Sequence, residues 1–406
     1  MHHLKRILGF ALVPLLGVIT PLIALPAVTS EFGATAWAAI AVATAVGGML
    51  GAAVELGWSW NGPMRVARAS SNARRQHLSW AYSTRIFAFM PLATIGGVIA
   101  YLIAPDYRTE SALVAVAATA SGLSLSWFFV GLGKPWRIVY LDAIPRVACV
   151  AASAIMLRSG AELWVYPVLG SLLPAISLPL LTLRVAGVRF RHFRGQSVPR
   201  LWLVMVSQFR VTAARVVSTT YMQFPVILVS GFAPVSQVAI FAGGDKLARM
   251  ALSGMSPIPS MFQRWVGSEP SRTSRLRRAY RAIAINLGVG LLVGTAFVIA
   301  GPPASRFVFS GTADIALVDA VILSAMIAVV AVSRAVGGIG LVAAGGQLGL
   351  LSSAVCGAAI GLPLILVLTI IGGATGAFFG VLLSEMVVLA TQAVALVRAV
   401  RRRARE

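Results

Sequence analysis

Ile7-Leu-Gly-Phe-Ala-Leu-Val-Pro-Leu-Leu-Gly-Val-Ile-Thr-Pro-Leu-Ile-Ala-Leu-Pro-Ala-Val28 carries no charge over its whole length. A helix needs about 20 apolar residues to cross the hydrocarbon core of a bilayer, and this run supplies them. Lys5 and Arg6 stand before it. A cleaved secretory leader has a shorter apolar core and a small-residue cleavage site. The run is too long for that, so it reads as a first, retained span.

The same signal recurs along the chain. Apolar runs of spanning length lie at approximately 7–29, 35–56, 84–104, 111–131, 139–157, 163–184, 207–231, 235–258, 280–300, 316–336, 349–371 and 374–397. The expected fold class is therefore an all-α polytopic membrane protein with about twelve transmembrane helices. Composition agrees. Apolar residues make up 58% of the 406 and charged residues 11%, against roughly 25% charged in a soluble domain. The mean hydropathy is +0.87.

The charge that remains is lopsided: 34 Lys and Arg against 12 Asp and Glu, a net +22. A nucleic-acid partner would call for a basic patch on a polar domain. Here the cations occupy short segments between apolar runs, which is the positive-inside pattern and excludes nucleic acid. With the amino terminus inside, the inner segments hold Lys5 and Arg6, then Arg65, Arg68, Arg74, Arg75 and Arg85, then Lys134 and Arg137. Further along come Arg184 to Arg200, Arg264 to Arg281, and a tail with Arg398, Arg401, Arg402, Arg403 and Arg405. The outer loops hold only Arg108, Arg158 and Arg306 among five acidic residues. The expectation is a multi-pass protein of the bacterial inner (plasma) membrane with both termini cytoplasmic.

Segment 185–200 is polar and divides the chain near its middle. It predicts a six-helix lobe at 1–184 and a second at 201–406, the latter with the basic cytoplasmic tail. Many transporters place substrate between two such halves. Cys149 and Cys356 give neither a disulfide framework nor metal spacing. No catalytic constellation and no nucleotide-binding glycine loop is present, so the chain reads as a membrane transporter and not an enzyme. Trp58, Trp60, Trp80, Trp127 and Trp136 lie near span ends and read as interfacial anchors.

An ionisable residue inside a span costs about 2.5–3.5 kcal/mol on insertion scales, and such residues face a cavity or a partner. Asp142 and Arg146 are four apart in the fifth span, as are Asp245 and Arg249 in the eighth. One reading of each is an internal ion pair. The other is an arginine lining a wet cavity. Lys246 has no acidic residue at helical spacing. Arg215 lies deeper in the seventh span than Arg210. Glu385 has no basic residue three or four positions away on its own helix, and with Asp142 and Asp245 it is a candidate ion-coupling group or charge partner. Basic groups outnumber acidic ones at depth, which favours an anionic substrate. Guanidinium grips phosphate through parallel hydrogen bonds.

Three stretches carry a family resemblance: Glu55-Leu-Gly-Trp-Ser-Trp-Asn61-Gly-Pro-Met-Arg65-Val-Ala-Arg68; Trp127-Phe-Phe-Val-Gly131-Leu-Gly133-Lys-Pro-Trp-Arg137; and Gln223-Phe-Pro-Val-Ile-Leu-Val-Ser-Gly231 with Ile240-Phe-Ala-Gly-Gly-Asp245-Lys246. Nearly the whole chain resembles the polysaccharide-exporter flippases of the O-antigen and exopolysaccharide type. Their superfamily, the multidrug/oligosaccharidyl-lipid/polysaccharide (MOP) one, also holds multidrug and toxin extruders and lipid II flippases. The resemblance implies two six-helix lobes in a MATE-like V around a cationic cavity. It implies translocation of a polyprenyl-pyrophosphate-linked oligosaccharide to the outer leaflet by alternating access, for surface polysaccharide biosynthesis. It also implies an H+ or Na+ gradient in place of a bound cofactor or metal, and contact with a polymerase or glycosyltransferases. Carried onto this chain, Arg65, Arg137 and Arg146 would line the first lobe, and Arg215, Lys246 and Arg249 the second. Gln223 departs from the family, where an acidic residue is common. The alternatives are a cation-coupled multidrug or metabolite extruder and a non-transporting component of a glycan-assembly complex.

Overall fold

The computed structural model describes residues 2–255, 257–269, 271–344 and 348–402; Arg403 and Arg405 of the tail lie outside these. Among the described residues every regular element is helical. The chain divides into two compact units, Met1–Ile227 and Leu228–Glu406.

In the first unit, α1 (His2–Val54) is followed by α2 (Trp58–Arg68), α3 (Ser71–Ile103), α4 (Arg108–Ala120), α5 (Ser126–Gly131), α6 (Pro135–Ile138), α7 (Ile144–Arg158), α8 (Leu173–Val185) and α9 (Val198–Ser207). Helix α10 (Phe209–Phe232) runs across the division. The second unit adds α11 (Val235–Gly254), α12 (Pro257–Gly267), α13 (Arg272–Val308), α14 (Leu317–Ala335), α15 (Val342–Ala344) and α16 (Leu348–Arg402).

Among the described residues, eight helical stretches are long and apolar enough to cross a membrane. Two of these, in α1 and α16, contain a break. Gly33 (φ 73°) and Gly373 (φ 57°) leave helical geometry inside them. Positive φ of this kind is open to glycine without steric cost. Each long helix thus supplies two of the expected spans. At the second break the freed N–H of Ala374 donates to Gln237 Oε1 at 2.9 Å. Helices α10 and α11 have spanning length but are not among the eight; Arg210 and Arg215 lie in the first, and Asp245, Lys246 and Arg249 in the second.

Among the described residues, three wide π turns interrupt the spans: Val139–Ala143, Tyr166–Leu172 and Val336–Leu341. The first two have a sequence cause. Pro145 and Pro174 lack the N–H that would bond the carbonyl four residues back, which falls inside each π turn. The third contains Gly337, Gly338 and Gly340.

Helices approach closely where side chains are small. A Cβ on Gly47 would collide with the Ala115 carbonyl, and one on Gly122 with the Gly51 carbonyl. Gly47 and Gly51 are one turn apart, a small-xxx-small face against α4. Gly47→Leu should therefore cost about 1–3 kcal/mol as overpacking. It should lower the thermal unfolding midpoint of the detergent-purified protein. An unchanged midpoint would contradict this packing.

One expectation for the tryptophans is corrected. Trp58 and Trp127 are buried and stack on each other, with ring centroids 5.8 Å apart, among Leu56, Leu78, Phe128 and Phe129. Their interior packing, and not an aromatic belt, accounts for their position. Trp60, one residue past the next, is exposed as an anchor would be.

Candidate functional site

In the first unit the motif Glu55 to Arg68 begins with a reversal of the chain. Helix α1 stops at Val54, and Leu56 (φ 51°) and Gly57 (φ 65°) both take left-handed geometry. Leu56 does so at a steric cost that its surroundings must sustain. The side chain holding the turn is Arg85, from the middle of α3. Its Nε donates to the Glu55 carbonyl at 3.1 Å and its Nη1 to the Ser124 carbonyl. Both carbonyls end helical segments, where a cation complements the dipole. Arg85 is 0% exposed and stands over the Trp127 ring at 5.9 Å. Sequence reading counted Arg85 among the inner-segment cations and missed its burial, because its hydrogen-bond partners lie 30 and 39 residues away and leave no local mark.

The Glu55 carboxylate meets Arg215 Nε at 3.4 Å across 160 residues. Close in sequence to both, Asn61 Nδ2 donates to Gln208 Oε1 at 2.7 Å. Arg65 and Arg137 are exposed, and each is placed over an aromatic ring of the quoted motifs: Arg65 over Trp58 at 5.6 Å and Arg137 over Phe129 at 6.0 Å.

Arg146 combines the two readings open to it. Its Nη2 donates to Asp142 Oδ1 at 2.7 Å, so the pair forms as the spacing predicts. Arg146 also lines a cavity of about 310 Å³ with Thr44, Ser121, Tyr166, Ser171 and Gln223. A guanidinium has five N–H donors, and the bond to Asp142 uses one. The cavity thus offers a cation beside hydroxyl and carboxamide groups.

In the second unit Arg249 Nε lies 2.6 Å from Asp245 Oδ2, again an ion pair at the predicted spacing. Lys246 is half-buried and has no ion-pair partner among the described residues. Arg334, from the end of α14, donates to the Leu252 carbonyl at 2.9 Å. Glu385 and Arg249 both act electrostatically on Arg334. Glu385 therefore has a cation near it on another helix, although its own helix supplies none. Among the described residues no group of three His, Cys, Asp or Glu is placed to hold a metal ion.

No protein-family model matches the sequence, and no curated protein matches it. Solved structures do match. A lipid II flippase, MurJ, in an inward closed conformation superposes with a TM-score of 0.72 at 10% identity, covering 98% of this chain and 90% of that one. The chain has the MurJ and MATE fold. An inward-facing multidrug resistance MATE family transporter of the MOP superfamily gives a TM-score of 0.65 at 14% identity, over 98% of each chain. The Vibrio cholerae MATE transporter VcmN in its bent form gives 0.51 at 14% identity, covering 98% of this chain and 97% of that one. At such identities the likeness is one of fold. The chain is a multi-pass membrane protein with that fold.

Proposed function

We propose that the chain is a flippase that carries a polyprenyl-pyrophosphate-linked oligosaccharide from the inner to the outer leaflet by alternating access. The observation that carries this reading is Arg146: a paired cation with spare donors, lining a cavity within a bundle of membrane spans. A pyrophosphate head loses its hydration on entering a bilayer, and a preplaced guanidinium offsets that loss through charge-assisted hydrogen bonds. The fold shared with a lipid II flippase supports the same reading.

Further residues take roles within it. Arg215 and Arg249 are substrate contacts whose carboxylate partners, Glu55 and Asp245, hold them until a phosphate competes. Lys246 is a cation free to meet the substrate. Arg65 and Arg137 receive the head group at the inner mouth. Glu385, Asp142 and Asp245 are the groups through which an H+ or Na+ gradient would couple. The protein sits in the inner membrane with both termini cytoplasmic and works beside the polymerase or glycosyltransferases of a surface polysaccharide.

The MATE likeness favours a second reading, export of organic cations. Reconstituted vesicles separate the two. The flippase reading expects a fluorescent undecaprenyl-pyrophosphate sugar to become accessible to an impermeant quencher in the opposite leaflet, and expects ethidium efflux to match protein-free vesicles. Ethidium transport with no movement of the lipid-linked sugar would reverse the assignment.

A further inference from the structure

Each unit carries a groove beside its long helix of mixed polarity. In the first unit it runs along α3, lined by Tyr82, Ile86, Phe87 and Met90, and is bordered by Phe193 and Leu201 from the chain after α8. Its volume is about 690 Å³ and no charged residue lines it. In the second unit a groove of about 720 Å³ runs along α13, lined by Leu276, Arg277, Tyr280, Arg281 and Ala284, and is bordered by Val400 near the end of α16. Both are shaped by residues at helical spacing on one face. They differ in charge.

The α13 groove has a cationic end and an apolar remainder. Arg277 and Arg281 are one helical turn apart, both exposed, with Tyr280 beside them. Neither arginine has an ion-pair partner among the described residues. The neighbouring Arg278 points elsewhere: it pairs with Glu269 at 2.5 Å, donates to the Trp265 carbonyl and stands over the Trp265 ring. The Glu269 carboxylate is thus committed to Arg278. What remains is two adjacent guanidinium groups and a phenol above a slot walled by Leu276, Ala284 and Val400. The basic residues lie at the start of α13, and the apolar sequence Ile283 to Ala300 follows. A phosphate head at the guanidinium groups would leave an acyl chain to run along the apolar part of the helix. Basic pockets at the rim of a span bind anionic lipid heads in this way.

We propose that the α13 groove is a site for an anionic phospholipid of the surrounding leaflet, its phosphodiester held by Arg277 and Arg281 and an acyl chain lying against Leu276, Ala284 and Val400. The occupant is a membrane phospholipid because the two arginines stand at the start of α13, just ahead of its apolar length, and the polar end needs only a compact anionic head. The proposal stands without the flippase reading.

Native mass spectrometry of the full chain, released from micelles doped equally with phosphatidylglycerol and phosphatidylcholine, tests it. The wild type should retain one phosphatidylglycerol in preference to phosphatidylcholine. Arg277→Ala with Arg281→Ala should weaken that retention roughly 30-fold, since each basic residue near a membrane surface contributes about a fivefold to tenfold preference. The double lysine variant should keep most of it, which separates charge from folding. Arg191→Ala with Arg194→Ala, next to the uncharged groove, should behave as wild type. Equal retention of the two lipids by the wild type, or undiminished phosphatidylglycerol on the double alanine variant, would overturn the proposal. So would displacement of the bound lipid by stoichiometric undecaprenyl pyrophosphate, which would make the groove a substrate site.

Discussion

Arg85→Ala is expected to destabilise the protein by about 3–5 kcal/mol, from a buried carbonyl that loses its donor and the void left by a large enclosed side chain. The side chain is wholly enclosed and bonds two carbonyls at helix ends, and it steadies a reversal in which Leu56 has left-handed geometry. Its loss would take the side-chain donor from the Ser124 carbonyl, leave the Glu55 carbonyl with the Trp58 N–H alone, and remove a cation from the neighbourhood of Glu55. It would also leave a void beside Trp127. The variant should yield little monodisperse protein in detergent, with a much lower unfolding midpoint. Arg85→Lys should recover only part of the loss, because an ammonium on a thinner stem cannot reach both carbonyls with the same fork. If Arg85→Ala unfolded within a degree or two of the wild type, the turn at Glu55 would need some other support.

Arg146→Ala should behave in the opposite way, leaving the fold nearly intact and stopping transport. Arg146 is partly exposed to its cavity, and its partner Asp142 retains access to that same space, so the stability cost is about 0–1 kcal/mol. The functional cost is larger. A charge-assisted contact to phosphate in a site of low water content contributes about 1.5–3 kcal/mol. Its removal also leaves Asp142 to repel the substrate. Flipping of a lipid-linked sugar by reconstituted protein should therefore fall about 10- to 150-fold, with protein recovered in the membrane at wild-type amounts. Asp142→Asn should weaken transport far less, because it frees the guanidinium instead of deleting it. Normal flipping by Arg146→Ala would remove this residue from the substrate path. Lost transport accompanied by lost protein would assign it a purely structural role.

The two variants differ in a way that follows from how their residues can be read. Asp142–Arg146 and Asp245–Arg249 are pairs within one helix, and the spacing of four predicts both contacts that the structure contains. Arg85 has the same residue type and a similar apolar setting, yet its partners come from the turn after α1 and from the chain after α4. Glu55 with Arg215, and Asn61 with Gln208, are likewise joined across 160 and 147 residues. Glu385 reads as an isolated carboxyl along its own helix and acquires Arg334 as a neighbour through packing.

What the amino-acid sequence determined by itself is the membrane fold: that the chain crosses repeatedly, that its runs are helical, and which charges pair one turn apart. These follow because a bilayer requires every backbone group in a span to bond within its own helix, so each run can be judged alone. Which faces of those helices meet was decided only by the tertiary structure. That choice depends on how each helix is rotated and how deep it sits, and small residues such as Gly47 and Gly122 permit one arrangement among many. Arg85 became a buried clamp, and Trp58 and Trp127 became core, only through that choice.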